Sequence, residues 1–480
     1  MNKDIIIPSI KFYNQDIVDL YDKVWALISR NYVYNKTNKN IPKEYLSYPG
    51  QKTFNYFYSV LTSFFLLYSS EKYDPEPILD FFYSKQEPNG AIRCDYDIET
   101  GEAVRTNEGD KIGLSIPLFP WAEYNYFVKN GNKKRLKEVA PHIIKFYKWV
   151  KSEYMDETGL FRTEQMCFLT GNIDRKETAY PVDFNAAMAF YCQMTALICE
   201  KLKDKETKLF FRKQYYALKS RINRMMWHND FYYDLDASAN PVPIEMLSSY
   251  FTLLAKIPDE EKTNILLGHL KDPKMFGTDN PFPTIPVRHK RFSKDGNGFY
   301  GGVSSALTFI TVKAIESAGD FSFAKETSLK HAFCMIESQL LVDKKIPACL
   351  WEVYKPNSEG PSLYFTNAKR TSYDLPRQDF LPAVGVIVIT LFIENVIGFA
   401  VDMFLKTVTW TLESYDQVGI ENYYLKKNYI SMECTRANER WEIRLNSDKL
   451  YYLKVRILSE NVEKELSIPA GRCSLLPEKF

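Results

Sequence analysis

One stretch of this chain gathers residue types that could do chemistry. Trp351-Glu352-Val353-Tyr354 sets a carboxylate between aromatic side chains, ahead of an apolar run that ends at Ile393-Glu394-Asn395. A carboxylate on a loop beside aromatic faces is the arrangement that cleavage of a glycosidic bond uses. There, one carboxylic acid protonates the leaving oxygen and one carboxylate activates water or attacks the sugar. The second carboxylate must come from elsewhere. Leu169-Thr170-Gly171-Asn172-Ile173-Asp174-Arg175 offers Asp174, and Pro181-Val182-Asp183-Phe184-Asn185-Ala186 offers Asp183 at a helix start, where a capping role competes. Asp95, Asp97 and Asp374 are weaker candidates, because loop acids are common.

Other chemistries lack their residues. The eight cysteines show no CxxC spacing and sit mostly in apolar surroundings, which reads as free thiols, neither a disulfide framework nor a zinc site. The five histidines form no HExxH and no i, i+4 pair, and the chain carries no GxGxxG, Walker or GxSxG motif, so no metal and no cofactor are expected. With 62 Lys+Arg against 60 Asp+Glu, charge gives no case for a nucleic acid or an anionic membrane as partner; a carbohydrate substrate is the expected one. Met1-Asn2-Lys3-Asp4-Ile5 lacks an apolar h-region, which gives a cytoplasmic expectation, or a periplasmic one if a leader has been removed. Leu381 to Val401 is apolar enough to suggest a membrane span, but Glu394 and Asn395 lie inside it, at a cost of roughly 3 kcal/mol for a carboxylate in lipid. The inner wall of a helical barrel shows the same all-round apolarity.

The positioning elements follow from periodicity. A 3.6-residue repeat predicts twelve helices, at about 15–31, 53–70, 75–85, 117–130, 133–154, 183–202, 205–226, 244–255, 258–270, 301–319, 321–340 and 379–399. From the second helix on, joins from an even helix to the next odd one are only a few residues long, whereas joins from odd to even span roughly 32–52, 86–116, 155–182, 227–243, 271–300 and 341–378. Short joins force antiparallel neighbours, so all six long loops fall on one face. The expected fold class is therefore mainly α: an (α/α)6 toroid over 1–403, whose cleft is built from the long loops and the first turns of the even helices. Trp121, Trp351, Tyr300 and Asp183 should approach that cleft. After about residue 403 alternation of period two, as in Tyr451-Tyr452-Leu453-Lys454-Val455-Arg456-Ile457, predicts a small antiparallel β domain over 404–480.

From about residue 50 to its end the chain also resembles a known group. Gln86-Glu87-Pro88-Asn89-Gly90, Pro117-Leu118-Phe119-Pro120-Trp121-Ala122, Asp156 to Phe161, Val182-Asp183-Phe184-Asn185-Ala186, Trp227 with Tyr232-Tyr233-Asp234-Leu235-Asp236, and His269 to Thr278 are similar to segments of the (α/α)6 glycosidases related to mannosylglycerate hydrolase, glycoside hydrolase family 63 and the trehalases. Trp351-Glu352-Val353-Tyr354-Lys355-Pro356 resembles that group's E-x-Y motif and Gly171 to Asp174 its S-G-x-D segment. The resemblance implies Glu352 as catalytic base, Asp174 as general acid, and inverting hydrolysis of an α-linked glucoside or mannoside. In the second segment Asp174 falls one residue late and Ile173 stands at the acid's place. Tyr58 replaces the Asp that holds sugar hydroxyls, Tyr300 to Ser305 lacks the group's Arg and Trp, and Phe380-Leu381 replaces its W-S. A non-catalytic glycan-binding protein, or another toroid chemistry such as a lyase or epimerase, are the alternatives that these departures keep open.

Overall fold

Ile17, Leu20, Tyr21, Val24, Trp25 and Ile28 form the buried face of α1 (Gln15–Asn31), whose first turn is capped by Asn14 accepting from the Ile17 amide at 3.3 Å. The same logic repeats around a ring in the computed structural model, which describes residues 7–104, 114–163, 173, 175–341, 348–365, 373–413, 417–425, 428–437, 440–468 and 470–475. The further helices are α2 (Tyr56–Leu66), α3 (Glu76–Ser84), α4 (Phe119–Asn130), α5 (Lys133–Tyr154), α6 (Val182–Leu202), α7 (Lys205–Met225) and α8 (Phe251–Leu254), the last entered through a 3-10 turn over Leu247–Tyr250. Then come α9 (Glu260–Lys271), α10 (Ser305–Ser317), α11 (Phe321–Gln339) and α12 (Leu381–Gly385), which continues as a wider π-helix over Val386–Val396. Each of the twelve expected helices is present.

Burial sorts them into two rings. α10 is buried without a break from Ser305 to Val312, whereas α7 buries only the stripe Phe211, Tyr215, Leu218 and Ile222. Even helices therefore line the inside and odd helices the outside. Inner helix Val182–Leu202 is long and apolar enough to cross a membrane, but 83% of its most apolar window is buried within the protein. The turns between even and following odd helices are tight: Gly131 and Lys203 adopt left-handed φ of 70° and 66°, and Asn132, Asp204 and Asp320 cap the helices that follow.

The long segments meet one another in sequence around the other end. Thr53–Asn55 in the first pairs with Asp95–Asp97 in the second. Tyr180 in the third bridges to Leu235 in the fourth, and Val303–Ser304 at the end of the fifth pairs with Val353–Tyr354 in the sixth. The sixth returns to the first, where the Arg377 guanidinium lies over the Tyr48 ring. One mouth thus gathers the loops of all three pairs, as an (α/α)6 toroid requires.

The strands beyond α12 form two layers. One sheet orders β1 (Ser9–Lys11), β4 (Val418–Leu425), β5 (Asn428–Ala437), β6 (Arg440–Ser447) and β9 (Gly471–Leu475), all antiparallel; the other orders β2 (Phe399–Asp402), β3 (Thr407–Leu412), β7 (Tyr451–Ile457) and β8 (Val462–Ile468). Alternation turns Val408, Trp410, Leu412, Leu453 and Val455 inward from one sheet and Ile420, Ile430, Cys434, Ile443 and Leu445 from the other. The chain's first strand thus completes a sheet built from its last hundred residues. This domain abuts the tight-turn end of the toroid, where the Met403 amide donates to the Val128 carbonyl and the Trp410 indole to the Ile397 carbonyl.

At that end the apolar α12 carries Glu394. Its carboxylate meets Lys129 of α4 at 2.7 Å, Lys313 of α10 at 2.5 Å and the Tyr68 hydroxyl at 2.5 Å, so helices from three parts of the inner ring converge on one buried anion. Burial alone would push this carboxyl up; the two ammonium groups overcome it and hold it well below the usual carboxylate range. Because the folded value is depressed, the stabilisation is present above the unfolded value near 4.5 and is lost as pH falls below it. Glu394→Ala leaves the buried Lys129 ammonium without its carboxylate and Lys313 with Glu316 alone, and is expected to cost about 3–5 kcal/mol in urea unfolding at neutral pH, with a smaller deficit in acid.

Candidate active site

The sixth long segment folds back on itself around Glu352. The Glu352 amide donates to the Arg377 carbonyl at 3.0 Å, and the Ser305 amide, at the first residue of α10, donates to the Glu352 carbonyl at 3.2 Å. With its backbone pinned on both sides, the side chain meets Arg377 as a two-pronged pair, Nε to Oε2 at 2.7 Å and Nη2 to Oε1 at 2.5 Å. Tyr58, in the first turns of α2, donates its hydroxyl to Oε1 at 3.4 Å. The guanidinium is shelved on aromatic rings, 3.7 Å from the Phe380 centroid and 4.7 Å from that of Tyr58. Glu352 is only 4% exposed.

The two-pronged geometry is that of a carboxylate meeting a guanidinium. Burial opposes the charge on Arg377, but Glu352 more than offsets it and the guanidinium pKa is raised. Burial, then the Glu352 charge, raise the Tyr58 phenol, so its hydroxyl stays a donor. An ionised, oriented carboxylate with a phenol beside it can accept a proton from water or anchor a sugar hydroxyl.

Beneath this loop lies a network with no sequence signature. His331 of α11 is fully buried; its Nδ1 lies 2.7 Å from the Asn280 side-chain oxygen and its Nε2 3.0 Å from the Ser305 hydroxyl. The Asn280 side-chain NH2 donates to the Lys355 carbonyl at 3.0 Å, which fixes its oxygen toward His331 and hence the ring proton on Nδ1, leaving Nε2 to accept from Ser305. Ser305, His331 and Asn280 have the spacing of a nucleophile, base and orienting group, yet Ser305 is fully buried too, so they act as a strut joining α10, α11 and the fifth and sixth segments.

The other expected residues are placed as follows. Asp183 does not wall a cleft: it is fully buried in α6 and pairs with Arg175 at 2.8 and 3.1 Å, while Arg175 also holds Asp234 at 2.9 Å through both Nε and Nη2. Two carboxylates on one guanidinium divide: burial opposes the charge at Asp183, but the Arg175 charge and the hydrogen bonds it receives together hold it low, whereas burial and the Asp183 charge push Asp234 up. Trp351 is likewise a correction. Residues along Trp351-Glu352-Val353 alternate in direction, so turning Glu352 to the mouth sends Trp351 into the core, fully buried and with no partner for its indole N–H among the described residues. Tyr300 is also buried, joining Ile173, Met246, Ile285, Phe299 and Val353 in a second apolar cluster made by the third to sixth segments, with the Arg291 guanidinium 4.0 Å over its ring.

Trp121, in the first turn of α4, is partly exposed and faces inward, with Phe64, Phe190 and Phe309 of α2, α6 and α10 around it. Asp174 lies outside the described residues. Asp95 is taken up by Thr53 and Asn55, Asp97 by a turn at Glu99 and Thr100, and Asp374 is exposed. None of the seven described cysteines is in a disulfide, and no group of His, Cys, Asp and Glu among the described residues is placed to hold a metal.

Comparison with known proteins places this geometry. Residues 169–359 match the family model of the mannosylglycerate hydrolase MGH1-like glycoside hydrolase domain, and residues 398–480 that of the trehalase C-terminal domain. The chain thus carries a mannosylglycerate hydrolase MGH1-like glycoside hydrolase domain and a trehalase-type C-terminal domain. A protein of Borreliella burgdorferi, described only as uncharacterized, is 36% identical across the whole of both chains. Among solved structures, the fold matches a glycoside hydrolase family 63 mannosylglycerate hydrolase from Thermus thermophilus in complex with glucose, with TM-score 0.60, 12% identity, and 77% of this chain and 99% of that one covered. A family 78 rhamnosidase of Bacillus sp. GL1 matches with TM-score 0.69 and 14% identity over 94% of this chain and 42% of that one. In this six-hairpin fold, Glu352, Tyr58 and Arg377 occupy the loop end.

Two measurements probe the site's supports. Burial pushes the His331 pKa down to about 3, against 6.5 when exposed, so the unfolded chain takes up a proton that the folded one refuses. This stability is full above pH 6.5 and declines toward pH 3, by up to about 1.4 kcal/mol per pH unit, and His331→Gln should flatten that part of the urea-midpoint profile. Arg377→Leu should destabilise by about 1–3 kcal/mol, since the Arg377 side chain is partly exposed but Glu352 is not; Arg377→Lys should recover only part of the loss, because an ammonium cannot reproduce the two-pronged pair.

Proposed function

We propose that this chain is an inverting glycosidase acting on an α-linked glucoside or mannoside, with Glu352 as the base that activates water and Asp174 as the general acid. The observation that carries the reading is the buried carboxylate at the loop end, oriented by Arg377 and faced by the Tyr58 hydroxyl. A general base must be ionised and fixed in direction, and the two-pronged pair supplies both. The reaction asks little more of it, because an oxocarbenium-like transition state is itself strongly electrophilic. Inversion needs room for water between the two carboxyl groups, which are then roughly 6.5–9.5 Å apart. The acid must hold its proton near neutral pH. The sugar class follows the group: the Thermus protein of similar fold is a mannosylglycerate hydrolase solved in complex with glucose.

Two observations favour a second reading, a glycan-binding protein without turnover. Tyr58 stands where the resembled group carries an Asp, and Arg377 engages both oxygens of the candidate base. A panel of α-glucosides and α-mannosides, mannosylglycerate included, separates the two. Reducing-sugar release with the β-configured product appearing first in proton NMR is expected, with Glu352→Gln and Asp174→Asn each lowering kcat by about 10²–10⁴-fold. Calorimetric binding of a panel member without any release, unchanged by Asp174→Asn, would establish the second reading instead.

A further inference from the structure

The outer face of the five-stranded sheet carries a trough of about 540 Å³, at the opposite end of the molecule from the loop mouth, and neither the proposed mechanism nor the toroid uses it. Its lining follows from the two-residue period. With Ile430, Met432 and Cys434 of β5 and Ile443 and Leu445 of β6 turned inward, Ser431, Glu433, Arg444 and Asn446 must face out. Register then lines up two polar rows across three strands: Glu433 opposite Arg444 opposite Ser474, and Ser431 opposite Asn446 opposite Arg472. Carboxylate and hydroxyl acceptors thus alternate with guanidinium and amide donors at strand spacing.

The third side is built by an irregularity. β4 shifts register between Ile420 and Tyr423, and Asn422 there adopts a left-handed φ of 59°, so that the consecutive residues Glu421 and Asn422 both border the trough. A bulge of this kind re-aims side chains at the expense of regular pairing. It is held in place: the Asn422 amide donates to the Ser431 hydroxyl at 3.0 Å, and that hydroxyl donates to the Tyr429 hydroxyl at 2.9 Å. Lys11 of β1 fixes Glu421 at 2.7 Å and Glu433 at 3.3 Å, so the rim acids are oriented before any ligand arrives.

Charge and polarity select the ligand. Glu421 and Glu433, held by Lys11, and Glu442, bonded to Arg444 at 3.0 Å, balance Lys11, Arg444 and Arg472, which gives no unopposed basic surface for a polyanion. Met432 and Leu445 at its floor are turned into the sandwich and buried, so the trough offers no aliphatic anchor of the kind on which protein partners depend. Alternating donors and acceptors suit hydroxyl groups, which do both, and Tyr429 supplies one ring for a sugar's C–H face. We propose that this trough is a second carbohydrate site, binding a neutral oligosaccharide and keeping a polymeric or glycan-bearing substrate near the chain. It goes beyond the glycosidase reading and does not need it.

Full-length Glu352→Gln protein, titrated calorimetrically with maltohexaose and with an α-mannohexaose, tests this against the same protein carrying Asn446→Ala and Arg472→Ala. At least one sugar should bind, and the double substitution should weaken that binding at least about tenfold, or remove one of two binding events, with the melting temperature unchanged. Ser474→Trp, which fills the trough, should do the same. In the Glu352 background neither set of changes should alter release from a small aryl glycoside. Binding that survives both sets of changes, or no binding of either sugar, overturns the proposal. The readout is binding, so trough-dependent binding without turnover in the wild-type chain defeats the glycosidase reading alone, and turnover with trough-independent binding defeats this proposal alone.

Discussion

The pairing of Glu352 with Arg377 is the constraint from which the loop end takes its form. A carboxylate removed from water is costly unless a cation and further donors meet it, and here one guanidinium, one phenol and the flanking backbone bonds do so. Arg377 is 25 residues away on the same segment, so making the pair closes that segment into a loop. Its guanidinium in turn rests on Phe380, Tyr58 and Tyr48, which ties the closed loop to the start of α12, to α2 and to the first long segment. One ion pair therefore decides where the sixth segment ends and how it meets the first.

Buried ion pairs do comparable work elsewhere in the inner ring. Inner helices apolar on every side can slide or rotate against one another at little cost, since dispersion and hydrophobic burial carry no direction. A charge that must find its partner removes that freedom, in the way a single buried polar residue fixes register in a coiled coil. α4 carries Glu123, matched by Arg135 of α5 at 2.8 Å through two nitrogens; α6 carries Asp183, matched by Arg175; α12 carries Glu394, matched from α4 and α10. Three of the inner helices thus bring a carboxylate into the ring, and each carboxylate binds its helix to a different neighbour.

Period and loop length were legible in the sequence because both are local. The stripe at Phe211, Tyr215, Leu218 and Ile222 marks an outer helix, the unbroken run from Leu381 marks an inner one, and the alternation of tight and long joins orders them into a ring. The site was less legible, because its partners are distant in the chain. Nothing in the residues around Arg377 or His331 points to Glu352 or Ser305; the fold brings them together. Trp351 and Tyr300 show a different difficulty. Their place on the long loops marked both as cleft-facing, but the direction of an aromatic on a loop depends on parity relative to a neighbour that must face the mouth, and the carboxylate took that direction. Asp183, placed correctly at a helix start, turned out to serve the helix through Arg175. Ser9–Lys11 is too short to show alternation, so its strand became visible only through its partner β4.

Tyr58 and Arg377 are best understood together. Where the resembled group carries an Asp, this chain has a phenol that burial and Glu352 keep protonated. A carboxylate in that position would face the Glu352 carboxylate across a short, poorly solvated gap, and a single guanidinium would then have to satisfy two anions, as Arg175 does for Asp183 and Asp234. In that triad the balance leaves one carboxyl pushed up and the other held low. At the mouth the phenol avoids the conflict: one cation meets one anion, and the third member donates a hydrogen bond without adding charge. The change at Tyr58 and the pairing of Glu352 with Arg377 are therefore two parts of one electrostatic arrangement, in which the carboxylate at the loop end meets one cation beside a neutral donor instead of a second acid.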